Sequence, residues 1–320
     1  MDKRRRTFVK QVGVLGMAPV MLGGFVGCKE KTMKSTVEEA VKAGFTLKDF
    51  GIQLWSVKDA MYADPKQTLI DLGRYGYNHV ESFQGDMGVF WGMEAKEFKT
   101  FLTDNNLEIH STHCSSDYTL VPEKEDEFKQ FVEDAAGIGL KHLVNPWMGN
   151  LKTIDDFKRA TDGLNRCGEI AKSAGLTYNY HNHAYSFKAI DGTIPQDIMM
   201  KGTEGGPVQF EMDIYWVVAA GQDPIEWLNK YAGRWSLSHV KDRYKAPRLD
   251  EIAKEEEVED YSEIKGSCVL GTGQINFNEV LQVAKDQGME YYIVEQERYD
   301  DMTSMEASEL NATFMKQYQS

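Results

Sequence analysis

The chain has 320 residues, 27% of them charged and 42% apolar, with 28 Gly and 8 Pro. That is ordinary globular composition, and it excludes a disordered, collagen-like or polytopic membrane protein. Lys+Arg 36 against Asp+Glu 50 gives a net charge of −14, the wrong sign for a nucleic-acid partner, and four cysteines are too few for a disulfide framework.

Residues 1–27 read as an address and are set apart from the fold. Arg4, Arg5 and Arg6 lead into Thr7, Phe8 and Lys10, followed by an apolar stretch from Val12 to Val26 that glycines interrupt. The stretch is short for a membrane span. The Arg5-Arg6 pair with Thr7, Phe8 and Lys10 resembles a twin-arginine export signal. Phe25-Val26-Gly27-Cys28 resembles a lipobox, which makes Cys28 the lipidated first residue of the mature protein; an uncleaved N-terminal anchor is the alternative. Both place the protein outside the cytoplasm, in the periplasm or at the cell surface, with the membrane as a partner through the anchor. Residues 1–27 hold five basic residues and one acidic, so the remainder carries −18. Residues 28–45 are polar and read as a tether.

From residue 46 to 320 short β-type runs alternate with longer amphipathic stretches. The runs are Phe50–Leu54, His79–Ser82, Glu108–His113, His142–Asn145, Thr177–His181, Gln209–Asp213, Ser236–Lys241 and Tyr291–Glu295. Helical patterns cover Pro65–Tyr75, Met93–Asn105, Glu123–Ile138, Ile154–Ala174, Pro224–Tyr231 and Asn276–Gln287. Strands alternating with helices predict a parallel sheet, and eight of them in one uninterrupted domain predict a closed (β/α)8 TIM barrel. A doubly wound sheet is the alternative, but no G-x-G-x-x-G follows the first strand. An acidic run, Asp250–Glu263, reads as a solvated loop between strands seven and eight.

In such a barrel the C-terminal strand ends line the active site. Those ends carry Trp55, Glu81, His113, Trp147, His181 and His183, then Asp213 and Trp216, then His239 and Lys241, and finally Glu295 and Glu297. Four of the seven histidines fall there. Imidazoles and carboxylates on one rim suit Zn, Mn, Fe or Co better than Ca, and the aromatics beside them suit a sugar. Cys114, Cys167 and Cys268 read as free or buried, and Gly271-Thr272-Gly273 as a tight turn.

The segments GIQLWSV (51–57), HVESF (79–83), YHNH (180–183), EMDIYWVVAAGQDP (211–224), HVKD (239–242), GTGQINF (271–277) and VEQE (294–297) resemble the sugar phosphate isomerase/epimerase family, the xylose isomerase-like TIM barrels. The resemblance implies one divalent metal (Mn, Zn, Mg, Co or Fe) held by an acidic residue on strand five, Asp on six, His on seven and Glu on eight. Asp213, His239 and Glu295 match the last three, while His181 stands where the strand-five glutamate belongs. With that glutamate gone, symmetric proton transfer on two faces of a substrate gives way to one strong base, Glu295, with a different proton donor.

A bound divalent cation stabilises the enolate left when a proton α to a carbonyl departs, and a positioned base contributes roughly 10²–10⁴-fold. The expected catalytic residues are Glu295, His181 and Lys241; the expected ligands are Asp213, His239, Glu295 and His181. Glu81, His113, His183, Trp55, Trp147 and Trp216 are the expected substrate contacts. The leading expectation is a sugar isomerase or epimerase acting on a small sugar or glycoside. The runner-up is a β-eliminating lyase or dehydratase acting on a keto-sugar or 3-keto-glycoside. A saccharide-binding lipoprotein without turnover has no need of Asp213, His239 and Glu295, and a metal-dependent endonuclease conflicts with the charge of −18.

Overall fold

Eight parallel strands close on themselves into a barrel, and an α-helix follows each of them. The strands are β1 Gly51–Gln53, β2 His79–Phe83, β3 Glu108–His113, β4 His142–Asn145, β5 Thr177–His181, β6 Val208–Asp213, β7 Trp235–Val240 and β8 Tyr291–Val294. Each pairs with its chain neighbour, and β8 returns to β1, with Gly51 opposite Ile293. The computed structural model describes residues 44–244 and 266–319. The export signal, Cys28 and the acidic run 250–263 lie outside the described residues. Among those described, no helix is long and apolar enough to cross a membrane.

The helices are α1 Pro65–Tyr75, α2 Ala95–Asp104, α3 Glu125–Gly137, α4 Ile154–Ser173, α5 Pro195–Gly202, α6 Pro224–Lys230, α7 Phe277–Asp286 and α8 Ser304–Met315. Local chemistry sets their starts. Asp64 caps α1 by accepting from Gln67 N, with Pro65 in the first turn. Thr153 with Asp156 and Thr303 with Glu306 form reciprocal capping boxes on α4 and α8. Each helix lays apolar residues on the barrel, such as Leu69, Leu72, Phe98, Phe128, Phe157, Leu228 and Leu281, all fully buried.

Strand parity decides what faces inward. Glu81, Glu211, Asp213, His239 and Glu295 share the inner face near the top; Leu237, Ile293 and Val144 plug the middle, and Tyr291 with His79 and His142 lies at the bottom. Two bulges keep this parity. His110 is the extra residue of β3, since Val80 pairs with Ile109 but Glu81 with Ser111. Ser236 is the extra residue of β7 in the same way. At the bottom, a side chain at Gly51 would meet His79 Nδ1 at 2.2 Å, so this strand position requires glycine.

Two boundaries differ from the sequence expectation. Phe45 is buried against Tyr318, with ring centroids 5.4 Å apart, so the body begins one residue inside the expected tether. A two-residue hairpin, Asp242–Arg243 with Ser267–Cys268, follows β7. Its length is below what a periodic pattern reveals.

Candidate active site

The inner residues at the top of the barrel form two linked sets of donors. Asp213, His239 and Glu295 make the upper set, and their donor atoms lie within 4.8 Å of one another. His113, His181, Glu211 and His239 make the lower set, by the same measure. His239 belongs to both because its two ring nitrogens point opposite ways. Nδ1 faces Glu295 Oε2 at 3.3 Å, and Nε2 donates to Glu81 Oε1 at 2.8 Å. His181 is arranged alike: Nδ1 meets Glu211 Oε2 at 3.0 Å and Nε2 lies 3.9 Å from Asp213 Oδ2. His113 Nε2 closes the lower set, 3.0 Å from Glu211 Oε2 and 3.1 Å from Glu81 Oε1.

Two buried atoms of the upper set, Asp213 Oδ2 and His239 Nδ1, make no hydrogen bond. Beside the Glu295 carboxylate they form an oxygen and nitrogen donor set that fits a divalent cation. Asp213 is also fixed in place: its Oδ1 accepts from Trp216 N at 3.0 Å, and Asn182 brackets its backbone.

Lys241 is fully buried beside this set. Its ammonium donates to Glu295 Oε2 at 3.0 Å and to Glu297, and lies 3.8 Å from Asp213 Oδ2. Burial opposes its charge, but Glu295, Glu297 and Asp213 hold its pKa well above the ordinary lysine value. Burial likewise opposes the charge of Glu295, yet Lys241 and His239 keep it well below the usual carboxylate range. Asp213 is pushed up to about 7 by burial, with Glu295 adding to the effect. Glu211 is pushed up to about 7 by burial and the charge of Glu81. Burial would lower His113, but Glu81 and Glu211 raise it to about 9. His183 is lowered to about 3 by burial and by Lys241, so it is a neutral imidazole.

A cavity of about 430 Å³ opens onto these groups, lined by Trp55, Phe83, Gln84, His113, Cys114, Pro146, Trp147, His181, His183, Glu295 and Glu297. Eight of the expected site residues are therefore on the wall or directly behind it: Trp55, His113, Trp147, His181, His183 and Glu295 line it, and fully buried Asp213 and His239 lie behind Glu295 and His181. Two expected substrate contacts are elsewhere. Glu81 is fully buried beneath the histidines and off the cavity wall, held by Gln53 Nε2 at 2.7 Å and by His239, which it orients. Trp216 is 5% exposed and packs behind His183, with Lys241 Nζ 5.2 Å from its ring.

Sequence reasoning missed Glu211. Its signal was available: it stands two residues before Asp213 on the same strand and so shares its inward face. Asp242, the last residue of HVKD, has a structural task. Its carboxylate accepts from Gly271 N at 2.9 Å, Gly273 N at 3.0 Å and Arg243 N at 2.7 Å, which pins the tight glycine turn. Cys114, Cys167 and Cys268 are free and buried.

The chain matches the xylose isomerase-like TIM barrel family over residues 71–318 and belongs to it. Among its relatives, an inosose dehydratase of Clostridium beijerinckii is 28% identical over 238 residues, 68% of this chain and 78% of that protein. An inosose dehydratase of Bacillus anthracis is 25% identical over 253 residues, 73% of this chain and 82% of that protein. A solved sugar phosphate isomerase/epimerase of Parabacteroides distasonis superposes with TM-score 0.70 at 28% identity, covering 88% of this chain and 98% of that one. An IOLI protein with a bound zinc atom shares the fold, with TM-score 0.66 at 17% identity over 85% of this chain and 99% of that one. This chain, like the inosose dehydratases, is an enzyme.

Proposed function

We propose that the protein is a metal-dependent carbohydrate enzyme that removes a proton α to a substrate carbonyl, as sugar isomerases and epimerases do. The observation that carries this reading is the upper donor set: buried Asp213, His239 and Glu295, with donor atoms within 4.8 Å of one another, directly behind a cavity whose wall Glu295 lines. Asp213, His239 through Nδ1, Glu295 and His181 through Nε2 would hold the cation. Each of these imidazoles turns its other nitrogen to a buried carboxylate, Glu81 for His239 and Glu211 for His181. Such partners fix ring orientation and raise ligand basicity. Because the two rings spend their second nitrogens this way, the arrangement serves one cation and not two.

A divalent cation bound there supplies a Lewis acid for a carbonyl oxygen and its neighbouring hydroxyl, which lowers the cost of the negative charge that develops. Glu295, ionised and at the cavity floor, takes the α proton. Lys241 keeps Glu295 ionised and joins it to Glu297, whose side chain is 34% exposed and faces the cavity mouth. Neutral His183 is placed to hydrogen-bond a substrate hydroxyl. A specific observation supports a second reading, elimination of a β-substituent. Two of the relatives named above are inosose dehydratases, and here an imidazole stands where the family resemblance implies a strand-five glutamate. Export as a lipid-anchored protein through Cys28 belongs to the same proposal, since an exported enzyme meets free sugars and glycosides more than sugar phosphates.

Proton NMR in D₂O tests the reaction. The metal-loaded protein is incubated with free ketoses, aldoses and 3-keto-glycosides. Metal-dependent deuterium uptake at a carbon α to a carbonyl supports the reading. A rearranged sugar as product marks an isomerase, and an unsaturated sugar with a released group marks a lyase. No exchange on any substrate by protein that holds the metal overturns both.

A further inference from the structure

The mouth of the cavity is built differently from its floor. Trp55 and Trp147 stand there 39% and 37% exposed, while Glu295 and His181 below them are 7% and 2% exposed. Both indoles are presented by the same device. Gln53, at the end of β1, accepts from Trp55 N through its side-chain oxygen at 3.1 Å. Asn145, at the end of β4, accepts from Trp147 N in the same way at 3.0 Å. An amide two residues ahead thus locks the backbone of each tryptophan as it leaves the barrel. Neighbours then fix the rings. Phe83 meets Trp55 edge-on at 5.1 Å, and Lys58 Nζ covers the ring at 3.7 Å. Tyr185 stands at 79° to Trp147, 4.8 Å away. β1 and β4 lie three strands apart in a barrel of eight, so the platforms rise from well-separated parts of the rim.

Leaving two indoles this exposed forgoes part of the burial free energy of a large apolar side chain, and the hydrogen bonds to their backbones hold the segments that carry them. The floor accounts for one carbonyl-bearing ring. The cavity's volume of about 430 Å³ falls within the roughly 300–1,000 Å³ of pockets that enclose ligands larger than a single sugar ring. We infer that the mouth is a subsite for a second sugar ring, joined by a glycosidic bond to the ring on the floor, with Trp55 and Trp147 as its stacking platforms. The substrate class is then a disaccharide-like glycoside and not a free monosaccharide. The inference rests on the proposed carbohydrate chemistry of the floor.

Titration calorimetry on the metal-loaded protein tests it without turnover. The probes are the methyl glycosides of glucose, galactose and xylose, each beside a disaccharide with the same non-reducing unit: cellobiose, lactose and xylobiose. At least one disaccharide is expected to bind about tenfold tighter than its methyl glycoside, the effect of one added apolar ring contact. Trp55→Ala or Trp147→Ala should abolish that margin and change methyl glycoside binding less than threefold, while Trp55→Phe and Trp147→Phe retain part of it. Equal binding of both members of every pair, or no binding of any probe, overturns the subsite. So does an alanine variant that weakens both members equally. Asp213→Asn separates the two ideas: it should weaken both members of a pair alike, and if it weakens neither, the reading of the floor fails while the margin still judges the mouth.

Discussion

The two ends of the barrel use the same residue type to opposite effect. At the top, His113, His181 and His239 lie among four buried carboxylates, those of Glu81, Glu211, Asp213 and Glu295. At the bottom, His79, His110 and His142 gather around the Tyr291 ring with centroid distances of 5.4, 4.7 and 5.6 Å. Among the described residues no buried carboxylate pairs with them: their acidic partners Asp49, Glu108 and Glu290 have side chains 21%, 71% and 58% exposed, and the charge of buried Glu81 opposes the lowering of His79 and His142 without overcoming burial. Burial therefore wins at the bottom and lowers His79 to about 3 and His142 to about 4. Carboxylates win at the top for His113 and His239, which are raised. Burial alone leaves a neutral histidine; a buried carboxylate on one nitrogen orients the ring and can hold its charge.

Three measurements sharpen that contrast, and the largest effect belongs at the floor. Glu295→Gln removes the base and one ligand oxygen. Its proton-exchange rate at saturating metal should fall by roughly 10²–10⁴, while substitutions at the bottom leave the rate within a factor of a few. A fall no larger than that of a bottom variant would assign the base elsewhere.

Next comes Glu211→Gln, which keeps the shape and removes the charge behind His181. Metal affinity, read by competition with a chelating dye, should weaken by about 10–100-fold with the fold intact by circular dichroism. Unchanged affinity would remove His181 from the ligand set.

The smallest effect is at the bottom and depends on pH. His79 and His142 have folded values below the ordinary 6.5. Below pH 6.5 the unfolded chain takes up protons that these buried rings refuse, so their contribution to stability is lost as pH falls toward 4. Each ring contributes a slope of at most about 1.4 kcal/mol per pH unit. Urea unfolding at pH 6.5 and 5.0 should show a smaller acid loss for His142→Gln than for the unaltered protein, and an equal loss would place the acid sensitivity elsewhere.

Much of this was legible in the chain. The eight strands fall within a residue or two of their expected places, and α1 matches Pro65–Tyr75 throughout, because apolar periodicity and the Asp64-Pro65 cap act locally. Asp213, His239 and Glu295 were legible from the strand ends and the family resemblance. What was hidden depends on distance through space. Glu81 lies in the middle of β2 and Trp216 in a short helix that follows β6, and the fold covers both, because barrel depth and the packing of one ring behind another leave no mark on periodicity. The helix α8 was missed for a related reason: Ala307, Leu310, Ala312, Phe314 and Met315 bury it on several sides, which blurs a one-sided pattern.

The most direct test of the central claim is to count the metal. Elemental analysis and calorimetric titration with Zn²⁺ and Mn²⁺ would compare the unaltered protein, the Asp213→Asn/His239→Ala variant and the bottom variant His79→Gln/His142→Gln. The account predicts one equivalent of tightly bound cation in the unaltered protein and in the bottom variant, and none in the top variant. No bound cation in any of them, or one retained when Asp213 and His239 are both replaced, would contradict it.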